Sequence, residues 1–226
     1  MQAELAGLVW RASERTDQAF PLLPELTQFF PGQGLRRGTT LAITPGPGAL
    51  SLLLATLAAA SQAGSWCAVA GLPQLGIMAA KELGVVLDRL VLVPYPGAEW
   101  TAVTSILLDG FDLVAIAPAG RVAPSVRAQL AARVRQRNGS LIVLSAHGWE
   151  GAELTLTTEN PVWYGPNHGR GRLRCREITI NAKGRGSAGR PRSGTIALPS
   201  TCPNGEHTCG KPNRASEPRH LYAVGG

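Results

Sequence analysis

Five short, almost wholly apolar runs punctuate this chain: the segment through Leu41–Ile43, "WCAVAGL" (66–72), "LVLVP" (90–94), "FDLVAIAP" (111–118) and "SLIVLSA" (140–146). Runs of this length without polar alternation are those of strands buried on both faces. Between them lie segments of helical length. One is the Ala/Leu-rich stretch from Ala49, a second runs through Met78, Ala79 and Leu83, and a third covers about 98–109. The fourth places Val122, Val126, Leu130 and Val134 at i, i+4, i+8 and i+12. Buried strands alternating with such helices mean parallel βαβ units with right-handed crossovers. The pattern therefore predicts an α/β fold: a doubly wound, mostly parallel sheet with helices on both faces.

The periodicity changes after about Trp149. "AELTLTT" (152–158) and "RLRCREITI" (172–180) alternate apolar and polar residues, as strands with one solvated face do. They are expected to extend one edge of the sheet as an antiparallel pair. Beyond Lys183, Gly, Pro, Ser and charge replace periodicity, which predicts a flexible C-terminal tail. Near the start, Pro21, Pro24 and Pro31 surround Leu22, Leu23, Leu26, Phe29 and Phe30, which reads as a short helix docking on the domain. The expected organisation is a docking segment (1–38), an α/β core (39–182) and a basic tail (183–226). With 226 residues, 44% of them hydrophobic, one substantial core with an appendage is the natural outcome.

The net charge of +7 is unevenly distributed. Residues 2–169 carry 11 Lys and Arg against 12 Asp and Glu, whereas residues 170–226 carry 11 against 3. A polyanionic partner is thus an expectation for the last quarter alone. Arg172, Arg174 and Arg176 alternate along a predicted strand, and Lys183, Arg185, Arg190 and Arg192 follow. Three readings stay open for them: weak DNA binding, docking to an acidic region of a protein partner, or a solvated edge that discourages edge-to-edge pairing. No run reaches the ~20 apolar residues that span a bilayer, and the N-terminus lacks the basic and apolar regions of a secretory signal. A cytoplasmic location with no membrane contact and reduced thiols follow as expectations. Cys202, His207, Cys209 and His220 lack the spacing of a compact zinc knuckle, so no metal is expected.

The most informative local motif follows the first strand. Thr44, Pro45, Gly46, Pro47, Gly48, Ala49, Leu50 and Ser51 form a strand–turn–helix junction of the kind that binds phosphate. A working phosphate loop needs Lys at the β/γ oxygens and Ser or Thr on Mg²⁺. Ala49 and Leu50 stand in those places, and Ser51 comes one residue late. The strand that should order the metal ends in Ala117-Pro118 rather than Asp. Without those charges most of the transition-state stabilisation is gone, so no cofactor and no catalysis are expected.

The order of "LRRGTTLAITPGPGALSLLLATLAAASQAG", "CAVAGLPQLGIMAAKELGV", "DRLVLVPYPGAEWTAVTSILLDGFDLVAIAP" and "RQRNGSLIVLSA" resembles the core of the RecA recombinase family. Within that family it is similar to the shortened actinobacterial ImuA-type proteins, over about residues 22–192. The resemblance implies a DNA-damage-induced accessory factor of translesion mutagenesis. Its implied partners are a catalytically inactive Y-family polymerase (ImuB) and, indirectly, an error-prone C-family polymerase and the sliding clamp. It also implies that the RecA phosphate-loop Lys and following Thr fall on Ala49 and Leu50, the catalytic Glu near Leu72, and the metal-ordering Asp on Ala117. Other readings are a divergent RecA-family ATPase, a SulA-like cell-division inhibitor and a single-strand DNA-binding module.

Overall fold

A computed structural model describes residues 18–164, 175–185 and 189–199. Their chain order is β1 (Ala19–Phe20), α1 (Pro24–Thr27), β2 (Leu35–Arg36), β3 (Thr39–Ile43), α2 (Ala49–Gln62), β4 (Cys67–Ala70), α3 (Ile77–Glu82) and β5 (Leu90–Val93). It continues with α4 (Trp100–Gly110), β6 (Leu113–Ile116), α5 (Pro124–Arg137), β7 (Ser140–Leu144), β8 (Leu154–Tyr164), β9 (Cys175–Gly184) and β10 (Arg192–Leu198).

Eight strands form one sheet in the order β10-β9-β8-β3-β7-β6-β4-β5. From β8 to β5 every neighbouring pair is parallel, with Leu41 facing Ile142 in β7 and Leu154 in β8. Two hydrophobic layers explain why the central runs do not alternate. Leu41, Ile43, Leu113, Ala115 and Ile142 face a layer with Leu52, Leu53 and Leu57 of α2. Ala42, Val114, Ile116, Leu141 and Val143 face the opposite layer, where Leu107 and Leu108 of α4 meet Leu130 and Val134 of α5. Each strand thus buries both sides. A fully buried Leu or Ile here contributes roughly 1.5–3 kcal/mol relative to an exposed one.

Local chemistry sets the helix ends. The α2 sequence is rich in Ala and Leu, which lose little freedom in a helix. It stops at a Schellman arrangement: Gly64 takes φ +89°, its N–H donates to Ser61 O (2.9 Å), and Ser65 N–H donates to Ala60 O (2.9 Å). Pro124 opens α5, and Asn138 closes it with φ 54°, so the Asn-Gly pair is the helix-to-strand turn.

Residues 18–38 pack against the sheet domain. β1 and β2 form a small antiparallel ladder, and Leu22, Leu26, Phe29 and Phe30 are buried in the layer beside α2. Residues 1–17 lie outside the described residues.

Of the expectations about the far edge, one holds and one is corrected. The predicted antiparallel pair is β8 with β9, and β8 joins β3 in parallel. The tail expected from Lys183 begins inside a strand: β9 runs to Gly184, and β10 (192–198) pairs antiparallel with it, Ile196 opposite Ile178. Gly, Ser and Arg mask this strand in the sequence because only Ile196 and Leu198 of β10 are buried. Cys175, expected as a reduced thiol, is disulfide-bonded. Strand periodicity carries no sign of which thiols the fold brings together. Cys67 is free and buried, its thiol pushed up to about 12 by burial and then by Asp112. Among the described residues no helix is long and apolar enough to cross a membrane.

Candidate functional site

The phosphate-loop position lies where β3 hands over to α2, at the C-terminal edge of the parallel strands, the edge at which open α/β sheets place ligands. Pro45, Gly46 and Pro47 are exposed, Thr44 is half-buried, and Gly48 and Ala49 are buried. Gly48 caps α2 with φ 99°, a conformation that only glycine adopts without strain. The loop amides are turned inward. Thr44 N–H donates to Leu156 O (2.9 Å), and Ala49 N–H donates to Gly46 O (3.1 Å). In a functioning phosphate cradle those N–H groups converge on the ligand.

Side chains from the edge strands cover Gly48, where the turn meets α2. A Cβ on Gly48 would stand 2.9 Å from Ile178 Cγ2 of β9 and 3.7 Å from Thr158 Cβ of β8. Ile178 is fully buried, Ala49 is 2% exposed, and Leu50 packs partly buried against the same layer. The other two positions of interest are also packed. Leu72 is 4% exposed, and Ala117 leans on that layer. Ala117 N–H donates to Ala70 O (3.1 Å), while a Cβ on Gly71 would meet Ala117 O at 2.7 Å, so β4 and β6 approach too closely there for side chains.

One cation does reach the loop, and it comes from a part of the sequence remote from it. Arg176 on β9 donates from Nη2 to Ser51 Oγ in the first turn of α2. Its guanidinium lies over the Trp163 ring, 4.6 Å from the centroid. Burial holds its pKa below the ordinary arginine value, and its buried Nε has no hydrogen-bond partner among the described residues. Alongside, Tyr164 Oη donates to Glu177 Oε2 (2.7 Å). The sequence contained both ends of the Arg176–Ser51 link, but no periodicity joins positions so far apart.

The basic candidates separate into two places. Arg172 and Arg174 lie outside the described residues. Arg176 sits at the phosphate-loop end of β9, whereas Lys183, Arg185, Arg190 and Arg192 gather around the β9–β10 connection. Seven residues of strand put Lys183 roughly 24 Å from Arg176. They do not form one patch. Arg192 opens β10 opposite Ala182, with its Nη1 buried and without a partner among the described residues. Cys202, His207, Cys209 and His220 also lie outside the described residues. Trp149 is buried and Trp100 packs on the α4–α5 layer, while Trp163 is 49% exposed. Ser145 Oγ accepts the His147 amide (3.3 Å) in the turn after β7.

Comparisons with known proteins agree with the architecture. The crystal structure of the flagellar accessory protein FlaH from Methanocaldococcus jannaschii superposes with a TM-score of 0.51 at 13% identity, covering 80% of this chain and 94% of that one. That likeness shows the fold, which is RecA-like. An uncharacterized protein of Mycobacterium tuberculosis (strain ATCC 25618 / H37Rv), Rv3395c, is 36% identical over 146 residues, spanning 61% of this chain and 71% of the relative. The family model for the MT3502 N-terminal domain matches residues 28–151, more than half of the chain, and the chain belongs to that family.

Proposed function

We propose that this member of the MT3502 N-terminal domain family is a non-catalytic RecA-like adaptor of ImuA type, acting in DNA-damage-induced translesion mutagenesis. It binds an inactive Y-family polymerase and through it joins an error-prone C-family polymerase and the sliding clamp. The observation that supports this reading is the filled phosphate-loop end. Ile178 and Thr158 cover Gly48, and Ala49, Leu72 and Ala117 pack where charge would be needed for ATP chemistry. A domain that keeps the RecA-like frame with apolar residues at these positions is suited to presenting surface rather than turning over nucleotide.

Two measurements test it. Isothermal titration with ATP and Mg²⁺ should give no micromolar binding. Clear binding, or hydrolysis abolished by Gly48→Asp, sinks the adaptor reading. A pull-down from damage-treated cells should recover the inactive Y-family polymerase. Because β10 ends at Leu198, the truncation that asks whether the tail contributes belongs after Pro199. A full-length Cys175→Ser control goes with it, since the cut removes Cys202 and Cys209 while Cys67 is free.

Arg176 favours one alternative enough to name it. A divergent ATPase could draw its missing cation from this arginine, already seated on Ser51 at the start of α2. The same titration, repeated with Arg176→Ala, separates the two readings.

A further inference from the structure

A second cationic site lies at the opposite edge of the sheet, under the N-terminal ends of β3 and β7. There a groove of about 440 Å³ is lined by Arg36, Arg37, Arg135, Asn138 and Glu153, with Ala131 the one aliphatic side chain larger than glycine among its described lining residues. Its shape follows from two turns. Gly38 takes φ +74°, the left-handed conformation that glycine adopts most readily, and so turns the chain from β2 into β3 beside Arg135 near the end of α5. Asn138 in the left-handed conformation then ends α5 beside it.

The charges in this groove are unevenly matched. Arg37 forms the floor. It is held by Asp112 at 3.8 Å, donates to Asn138 O at 3.4 Å and lies over the Phe20 ring. Arg36 is 70% exposed and shares Glu153 only at 4.0 Å. Arg135 is exposed and has no carboxylate within ion-pair distance among the described residues. The register carries the positive surface onward across the edge strands. Leu154 pairs with Gly184 and Thr155 with Lys183, and Arg185 N–H donates to Glu153 O at 3.0 Å. Lys183 and Arg185 therefore flank Glu153 on the face that α5 covers further along the sheet. Two of the basic residues that looked like a tail, Lys183 and Arg185, thus join Arg36 and Arg135 along one edge.

We infer that this groove binds the phosphodiester backbone of nucleic acid. Strands are spaced ~4.8 Å apart, so cations spread from α5 across β8 to β9 span on the order of 10 Å. That reach matches successive phosphates of a strand rather than a single phosphate. The near-absence of apolar lining, and the lack of an aromatic side chain for base stacking among the described lining residues, make the recognition electrostatic and sequence-independent. The site is remote from the phosphate-loop end and does not depend on the adaptor reading.

Fluorescence anisotropy of the full chain with a labelled single strand and with the matching duplex tests the inference, from roughly 50 to 200 mM salt. Four phosphate contacts predict that log K falls with log salt at a slope of about −2.8 for the single strand or −3.6 for the duplex. Arg36→Gln with Arg135→Gln should reduce that slope by about 1.4 or 1.8. The tighter arm identifies the form bound. Lys81→Gln, an exposed position on α3 at the other side of the sheet, should leave the slope unchanged. Both groove arginines are exposed, and an unaltered thermal melt confirms that the double variant is folded. The inference is overturned by no binding at the lowest salt, by an unchanged slope in the double variant, or by a slope that falls with Arg176→Ala instead. It is equally overturned if polyglutamate of matched charge displaces the oligonucleotide as well as unlabelled oligonucleotide does, since the site would then be a general anion surface.

Discussion

Replacing Gly48 by Ala tests how firmly the edge strands close over the turn between β3 and α2. The backbone at Gly48 sits at φ 99°, where an L side chain costs about 1–2 kcal/mol. The added methyl would also meet Ile178 Cγ2 at 2.9 Å, inside van der Waals contact. Ile178 is fully buried in a packed layer and has no free direction in which to move, so overpacking adds about 1–2 kcal/mol more. The total expected loss is about 2–4 kcal/mol, or roughly 5–15 °C in Tm for a chain of this size. A double-mutant cycle measured by urea denaturation separates the two parts. Ile178→Ala alone should cost about 2–5 kcal/mol through its cavity. In that background, Gly48→Ala should cost only its backbone share, giving a coupling of about 1–2 kcal/mol. A cost for Gly48→Ala below about 0.5 kcal/mol, or one equal in both backgrounds, would refute the reasoning. It would mean that Ile178 does not seal the loop, and the space for a phosphate group would have to be reconsidered.

Asp112→Ala removes one partner of Arg37 (3.8 Å) and the acceptor of the Trp66 amide (2.8 Å), so it should destabilise by about 1–3 kcal/mol in thermal or urea melts. Asp112→Asn, which keeps an acceptor for that amide, should cost clearly less. Asp109 ties α4 to α5 through Arg133 (2.8 and 2.7 Å) and Arg137 (2.9 Å). The Arg133 hydrogen bond first, then those of Arg137, lower its carboxyl from 3.8 to about 2. A depressed carboxylate stabilises the fold fully above its unfolded value and loses that contribution as pH falls through the folded one. Acid titrations should therefore show a loss between about pH 4 and pH 2 that Asp109→Asn flattens.

At the turn between β3 and α2 the sequence was informative. Ala49 and Leu50 in place of Lys and Ser or Thr are matters of identity, legible one residue at a time. The same holds for Leu72, which is buried, and for Ala117, which packs partly buried against the same layer. What could not be read was the covering. That Ile178 lies over Gly48 and that Arg176 reaches Ser51 depends on β9 folding back along β8, with an irregular register between Glu159 and Val162.

The split of the basic segment has the same origin. In the sequence, Arg172 through Arg192 reads as one positive stretch, whereas β9 separates Arg176 from Lys183 and carries them to opposite ends of the strand. Arg36 and Arg135 had no reason to be grouped with Lys183 until β8 and β9 added onto β3.

The alternation of buried runs and helices was enough by itself to determine a doubly wound α/β core, because side-chain periodicity is a local property of 3.6- and 2-residue repeats. It was also enough to show that apolar residues, Ala49 and Leu50, follow the Gly/Pro turn where α2 begins. Tertiary structure alone decided the insertion of β7 between β3 and β6, the recruitment of β10, the sealed loop and the basic groove. Each of these rests on pairing between segments far apart in the chain, where register and close approach, rather than local pattern, select the neighbours.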